Sequence, residues 1–185
     1  MRIISGKFKG RKIVAPKKLP IRPTTDFAKE ALFNILNNRY NFSKLEVLDL
    51  FSGSGNIAFE FASRGAKPVT AVDENVDSVR FIKKIADELE MDITAIKSDS
   101  FKFLEKASIK ADLIFADPPY VFDEESLLKL VAITFERNLL KQKGSLILEH
   151  SKKIDLSKSE YFTEVRKYGN SAFSFFNLIP EDGKD

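Results

Sequence analysis

Leu45-Glu46-Val47-Leu48-Asp49-Leu50 runs directly into Phe51-Ser52-Gly53-Ser54-Gly55-Asn56-Ile57-Ala58. The first six residues form a short apolar run, and the next five a glycine turn. A helical pattern follows to about Arg64. Strand, glycine turn and helix make the opening unit of an open α/β sheet. The chain then repeats the unit. Val69–Val72 is a second apolar run, ending at Asp73, and Val79, Ile82, Ala86 and Leu89 place a helix after it. Ile93–Ile96 closes near Asp99, and Leu113–Ala116 closes at Asp117. A helix through about Asp123–Asn138 precedes a fifth run, Ser145–Leu148. Alternation of this kind predicts a parallel sheet with right-handed crossovers and helices on both faces. The C-terminal part breaks the rhythm. Tyr161–Tyr168 and Ser171–Ile179, joined by Gly169-Asn170, read as an antiparallel hairpin.

Upstream, residues 2–5 and 11–15 flank Gly6-Lys7-Phe8-Lys9-Gly10 and predict a short hairpin, ended by Pro16 and Pro20. Arg22-Pro23-Thr24-Thr25-Asp26 then reads as a helix start, followed by Ala28, Ala31, Leu32, Ile35 and Leu36 at helical spacing. The expected organisation is one domain. A basic hairpin occupies 1–20, an α/β core 24–180 and a polar tail 181–185.

Composition narrows the function classes. The chain has 185 residues, enough to bury roughly 70% of its unfolded surface without staples. Zero cysteines exclude a disulfide scaffold, a zinc finger and a thiol nucleophile. His150, the lone histidine, argues against a Ser-His-Asp triad or a multi-histidine metal site, and reads as a surface or hinge residue. No apolar run approaches the ~18–20 residues of a transmembrane helix. Met1–Gly6 lacks a signal-peptide core, so a cytoplasmic location is expected. Net charge is +3, unevenly placed: residues 1–22 carry eight of the 30 basic residues and none of the 27 acidic ones. The arm is therefore +8 and the rest of the chain −5. Such an arm fits a phosphate backbone, and equally an edge hairpin kept from aggregating by its lysines.

In open α/β sheets ligands bind beyond the carboxyl ends of the strands. Asp49, Asp73, Asp99 and Asp117 all stand at those ends. Gly53-Ser54-Gly55-Asn56-Ile57-Ala58 fits G-x-G-x-x-A, a weak signal alone but set here between strand and helix. Asp73 lies twenty residues beyond Gly53, where a carboxylate accepts hydrogen bonds from both ribose hydroxyls. That much fits NAD as well as S-adenosylmethionine. Asp49 favours the second, because its charge repels a pyrophosphate and welcomes an ammonium or sulfonium. Asp99 with Ser100 can hold the adenine amine, or Asp99 can simply cap a helix over Phe101–Leu104.

Asp117-Pro118-Pro119-Tyr120 is the most specific segment. Two prolines at a strand exit fix φ and remove two amide donors. A carboxylate, a rigid carbonyl and an aromatic ring are thereby held together, a set that suits a planar base bearing an exocyclic amine. Tyr120 stacks on the base. Asp117 and the Pro118 carbonyl accept the two amine hydrogens, which favours a tetrahedral nitrogen whose lone pair can attack a methyl group in line.

These residues resemble the Rossmann-like S-adenosylmethionine-dependent methyltransferases that carry an (Asp/Asn/Ser)-Pro-Pro-aromatic motif. Met1–Gly10, Arg22–Asp26 with Glu30-Ala31-Leu32-Phe33-Asn34, Phe51–Gly55 and Asp117–Tyr120 together look like the RsmD family, in matching order over about Met1 to Ile179. The resemblance implies transfer of a methyl group to the exocyclic N2 of a guanine in 16S ribosomal RNA of the small subunit, or of an assembly intermediate. It implies a seven-stranded sheet with the last strand antiparallel and an N-terminal hairpin. It places the cofactor over Asp49, Phe51, Gly53, Ser54, Gly55, Asp73, Glu74, Asp99 and Ser100, with Thr24 and Thr25 lining the same pocket. It assigns Arg2, Lys7, Lys9, Arg11, Lys12 and Arg22 to RNA. Asp117, Pro118, Pro119 and Tyr120 carry the catalysis. Neither a metal nor a membrane enters this chemistry, and a monomer is expected. A DNA adenine or cytosine methyltransferase would share the motif, but no target-recognition domain is evident. A NAD-linked oxidoreductase would leave Asp117–Tyr120 unexplained. An idle RNA-binding module would not need Asp117.

Overall fold

Val47 to Leu50 are all buried, as a strand covered on both faces must be. In the computed structural model, which describes residues 1–17, 19 and 25–178, this strand lies near the middle of a seven-stranded sheet. The strands are β1 (Val47–Leu50), β2 (Val69–Asp73), β3 (Ile93–Lys97), β4 (Ala111–Ala116), β5 (Leu140–Ser151), β6 (Phe162–Tyr168) and β7 (Ser171–Asn177). The helices are α1 (Asp26–Arg39), α2 (Asn56–Ser63), α3 (Val76–Glu88), α4 (Ser100–Lys106) and α5 (Glu124–Glu136), plus a single 3-10 turn at Phe42–Lys44.

Spatial order is β3-β2-β1-β4-β5-β7-β6. The first five of these run parallel. β7 slots between β5 and β6, antiparallel to both. The strand order reverses between β1 and β4, and a crevice opens where two crossovers leave in opposite directions.

Side chains alternate across the strands and split the core in two. Val47, Val69, Leu113, Phe115, Ile147, Phe173 and Phe175 face α1, α2 and α3. Leu48, Leu50, Val72, Ile114, Leu146, Leu148 and Phe176 face α4 and α5. The phenylalanine run of β7 is sheet core, as two-sided burial of a central strand requires.

The N-terminal hairpin is short, as expected, with an antiparallel bridge between Arg2 and Lys12. Ile3 N–H to Arg11 O at 3.0 Å and Gly10 N–H to Ile3 O at 2.8 Å close it, and Ile3 and Ile13 bury themselves in the core. His150 is neither exposed nor a hinge. It is 3% exposed on β5, with Nε2 2.7 Å from Ser174 Oγ and Nδ1 2.9 Å from Ser151 O. Burial lowers its pKa, so the ring is neutral at pH 7. β5 begins at Leu140 rather than Ser145, through a register shift against β4 at Lys141–Gly144. No described helix is long and apolar enough to cross a membrane. Thr24, Arg22 and the tail 181–185 lie outside the described residues.

Candidate active site

The parallel register brings the strand ends together. Leu50 pairs with Val72 on one side and Ala116 on the other, so Phe51, Asp73 and Asp117 leave the sheet at one level. They border a cleft of about 810 Å³.

Phe51 turns the chain with φ 56, a left-handed conformation uncommon for a bulky residue and often found at functional turns. Ser52 donates its hydroxyl to Asp49 O at 2.6 Å and its amide to Val72 O at 3.0 Å. Gly53, at φ 52, donates its amide to Asp73 Oδ2 at 2.8 Å. Asp73 Oδ1 accepts from Asn75 N–H at 2.9 Å. The carboxylate thus braces the glycine turn before it binds anything else, and two oxygens still offer further lone pairs. Glu74 beside it lines the cleft with an exposed carboxylate.

Gly55 starts α2 with no side-chain cap, leaving the first-turn amides beside Asn56 and Ile57 in the cleft wall. Gly55 itself does not line the cleft. A Cβ there would lie 2.9 Å from Ile82 Cγ1 and from Phe59 Cε2, and φ is +76. Helix packing therefore requires a glycine at this position. Thr25 likewise serves α1, accepting from Ala28 N–H at 3.1 Å as its N-cap, and is not part of the cleft wall.

Asp49 points into the cleft fully buried, and its Oδ2 has no hydrogen-bond partner among the described residues. Desolvation, with a smaller push from Asp73, drives its pKa up to about 8. Asp99 caps a helix and borders the cleft. Its Oδ1 caps α4 by accepting from Lys102 N–H at 2.9 Å, and the residue with Ser100 borders the cleft.

Asp117, Pro118, Pro119 and Tyr120 form the opposite wall. Pro119 O accepts from Phe122 N–H at 2.9 Å and closes the turn. Tyr120 is 41% exposed, with its hydroxyl 2.8 Å from Ser171 Oγ on β7. The chain therefore presents, in one cleft, a buried carboxylate with an unsatisfied oxygen, a glycine turn and an acid-proline-proline-tyrosine wall.

A family model described as "Conserved hypothetical protein 95" matches residues 1–177. The ribosomal RNA small subunit methyltransferase D of Buchnera aphidicola subsp. Baizongia pistaciae is 34% identical over 151 residues, which is 80% of this chain and 75% of that protein. This chain belongs to the RsmD family. Among solved structures, a hypothetical protein of Thermus thermophilus superposes with a TM-score of 0.83 at 26% identity, over 96% of this chain and 99% of that one. RsmC of T. thermophilus, a 16S rRNA N2 G1207 methyltransferase in complex with AdoMet and guanosine, shares the fold at TM-score 0.69 and 22% identity, over 87% of this chain and 45% of that one.

Two features of this RsmD-family chain escaped the sequence reading. Phe122 stacks on Phe101 at 5.8 Å and meets Phe51 edge-on at 5.7 Å, adding an aromatic wall to the cleft. Its only signal was a place two residues after the motif. Asn56 lines the cleft and accepts from Lys29 Nζ at 2.8 Å. Lys29, which sits among exposed charges in the sequence, is 1% exposed and buried against Glu60. Arg2, Lys7, Lys9, Arg11 and Lys12 are all exposed on the arm, away from the cleft wall. Among the described residues there is no cluster of three or more metal-ligating side chains.

Proposed function

We infer that this chain transfers a methyl group from S-adenosylmethionine to the exocyclic N2 amine of a guanine in 16S rRNA of the small ribosomal subunit. The observation that carries the reading is the meeting of Asp117-Pro118-Pro119-Tyr120 and Asp49 across one cleft. The relatives' rRNA methyltransferase names support the substrate class.

The residues fit the cofactor. A buried carboxylate whose Oδ2 lacks a partner favours a cation beside it, which matches the amino-acid and sulfonium end of the molecule. Asp73 and Glu74 offer acceptors to ribose hydroxyls. Asp99 and Ser100 would hold the adenine amine, and Phe51 and Phe122, which line the same cleft, would offer its ring apolar neighbours. When bound, the cofactor supplies an electrophilic methyl carbon on sulfur.

The remaining steps belong to the protein. Tyr120, held by Ser171, stacks on a flipped base. The Asp117 carboxylate and the Pro118 carbonyl accept the N2 hydrogens and hold the lone pair toward the methyl carbon. The turn after the motif closes on the Pro119 carbonyl, a different group from this acceptor. As the N–C bond forms and the C–S bond breaks, the electron pair leaves with sulfur and positive charge grows on nitrogen. Asp117 stabilises that charge, and the nitrogen then gives up one proton to solvent water. The arm residues Arg2, Lys7, Lys9, Arg11 and Lys12 meet phosphates of the RNA.

Incubating the protein with isotopically labelled S-adenosylmethionine and small subunits lacking the modification tests this. Labelled N2-methylguanosine in the digested rRNA is the expected result. Label confined to DNA or to a protein amide would overturn the substrate and keep the chemistry.

A further inference from the structure

Phe27 is the second residue of α1, and its ring is 70% exposed. It does not stand alone. The ring meets Tyr168 edge-on, with centroids 6.2 Å apart and an interplanar angle of 75°. Tyr168 ends β6 and pairs across the hairpin with Ser171. Ser171 is the residue whose hydroxyl lies 2.8 Å from the Tyr120 hydroxyl. On the other side, Asp26 adjoins Phe27 and pairs with Arg2 of the basic arm at 3.7 Å. At the hairpin tip the exposed Lys152 is held in place, its Nζ donating to Gly169 O at 3.0 Å. A row therefore runs from Arg2 of the arm through Phe27 and Tyr168 to the tyrosine of the cleft, with Lys152 beside Tyr168 at the hairpin tip.

Aromatic faces interleaved with fixed cations fit single-stranded nucleic acid: bases stack, and phosphates meet the charges. A duplex keeps its base faces to itself. A target base that swings out of its stack leaves its neighbours short of a stacking partner, and such a neighbour must lie within a nucleotide or two of Tyr120. We propose that Phe27, backed by Tyr168, is the platform on which an unpaired nucleotide flanking the target guanine stacks, with Arg2 and Lys152 taking the adjacent phosphates. This inference rests on the RNA-methylation reading and adds to it a second contact surface, distinct from Lys7–Lys12. Arg2 is shared by both. A protein partner is disfavoured, because the row is a single protruding ring between charges rather than a broad apolar face.

The test is a titration of wild type, Phe27→Ala and Phe27→Trp with a single-stranded RNA decamer carrying 2-aminopurine beside a central guanine, at low salt. Wild type binds and quenches the fluorophore by stacking. Phe27→Ala weakens binding roughly 5- to 100-fold and loses the quench, whereas Phe27→Trp restores both. In the small-subunit assay Phe27→Ala raises KM and leaves kcat within about twofold. No binding by wild type, or equal binding by Phe27→Ala, overturns the platform. So does a dimer of the wild type in sedimentation that Phe27→Ala dissolves, since the ring then serves a second copy of the chain. Decamer binding that depends on Phe27, combined with no methylation of small subunits, keeps the platform and removes the rRNA reading instead. Because Phe27 lies outside both core clusters, the melting temperature of Phe27→Ala stays near that of wild type.

Discussion

Asp49 carries its charge where the charge is unfavourable. In the unfolded chain its carboxyl ionises near 3.8, and folding pushes it up to about 8. Between those values the native state holds a proton that the unfolded chain has lost. Native stability contributed by this group therefore falls as pH rises from 3.8 to about 8, and levels off above. A sulfonium or ammonium beside it reverses the preference. Cofactor binding at pH 7 is thus expected to expel a proton, and affinity to rise as pH approaches 8. Calorimetric titration in two buffers of different ionisation enthalpy reads that proton directly. Asp49→Asn should abolish the proton release, weaken cofactor binding, and stabilise the free protein above pH 8. Asp117 is expected to behave differently. On the proposed reading it serves the amine rather than the cofactor, so Asp117→Ala should cut turnover by about 10²–10³-fold and leave cofactor affinity within roughly threefold. Equal losses in both would place Asp117 in cofactor binding instead.

The elements are joined by one buried network. Glu60 on α2 accepts from Ile4 N–H at 2.8 Å, Ser5 N–H at 3.0 Å and Arg64 Nε at 2.8 Å. Lys29 on α1, 3.7 Å from Glu60, donates to Arg2 O at 2.6 Å and to Asn56 at the cleft. Burial lowers the Lys29 pKa, and the Glu60 charge opposes that shift. Removing the carboxylate strands a buried ammonium, so Glu60→Ala should cost about 3–5 kcal/mol in urea unfolding. Glu60→Leu with Lys29→Met should recover only the part due to the stranded ammonium, because the Ile4 and Ser5 amides and Arg64 Nε still lose their acceptor. The arm itself is pinned at Gly6. Lys7 N–H donates to Ser63 O at 2.7 Å, and a Cβ on Gly6 would lie 1.9 Å from that same oxygen. Gly6→Ala should therefore detach the arm from α2. Faster tryptic cleavage at Lys7, Lys9 and Arg11 is the expected readout, with cofactor binding unchanged.

At the scale of the whole molecule, charge and fold are separated. A +8 arm rides on a −5 remainder, and the cleft within that remainder is lined by acids. Under the proposed function, RNA attraction is assigned to the arm, and the acidic cleft is left to repel phosphates and favour a cationic cofactor. Affinity for rRNA should fall steeply with salt. Replacing Lys7, Lys9 and Arg11 together by alanine should flatten the log–log slope by about 2–3, because each phosphate contact contributes ~0.7–0.9. The cofactor dissociation constant should not move. A slope that survives the triple substitution would put the phosphate contacts elsewhere.

The alternation of apolar runs and helical spacings determined the parallel sheet, because burial on both faces forces continuous hydrophobic strands. Strand-end acids and Asp117-Pro118-Pro119-Tyr120 were legible for the same reason: their meaning depends only on where strands stop. Position between elements was not. Nothing local marks Lys29 as buried, since its environment comes from Glu60, Asn56 and the arm, all distant in sequence. His150 read as exposed because its partner, Ser174, lies across a strand pair set only by the sheet order. That a Cβ on Gly55 would crowd Ile82 and Phe59 is likewise invisible in the sequence around it. Phe27, Tyr168 and Tyr120 are far apart along the chain and become one row only when β7 slots between β5 and β6. Local pattern fixes which elements form, because propensity and periodicity act over a few residues. Which side chains meet is decided by packing, which acts across the whole chain.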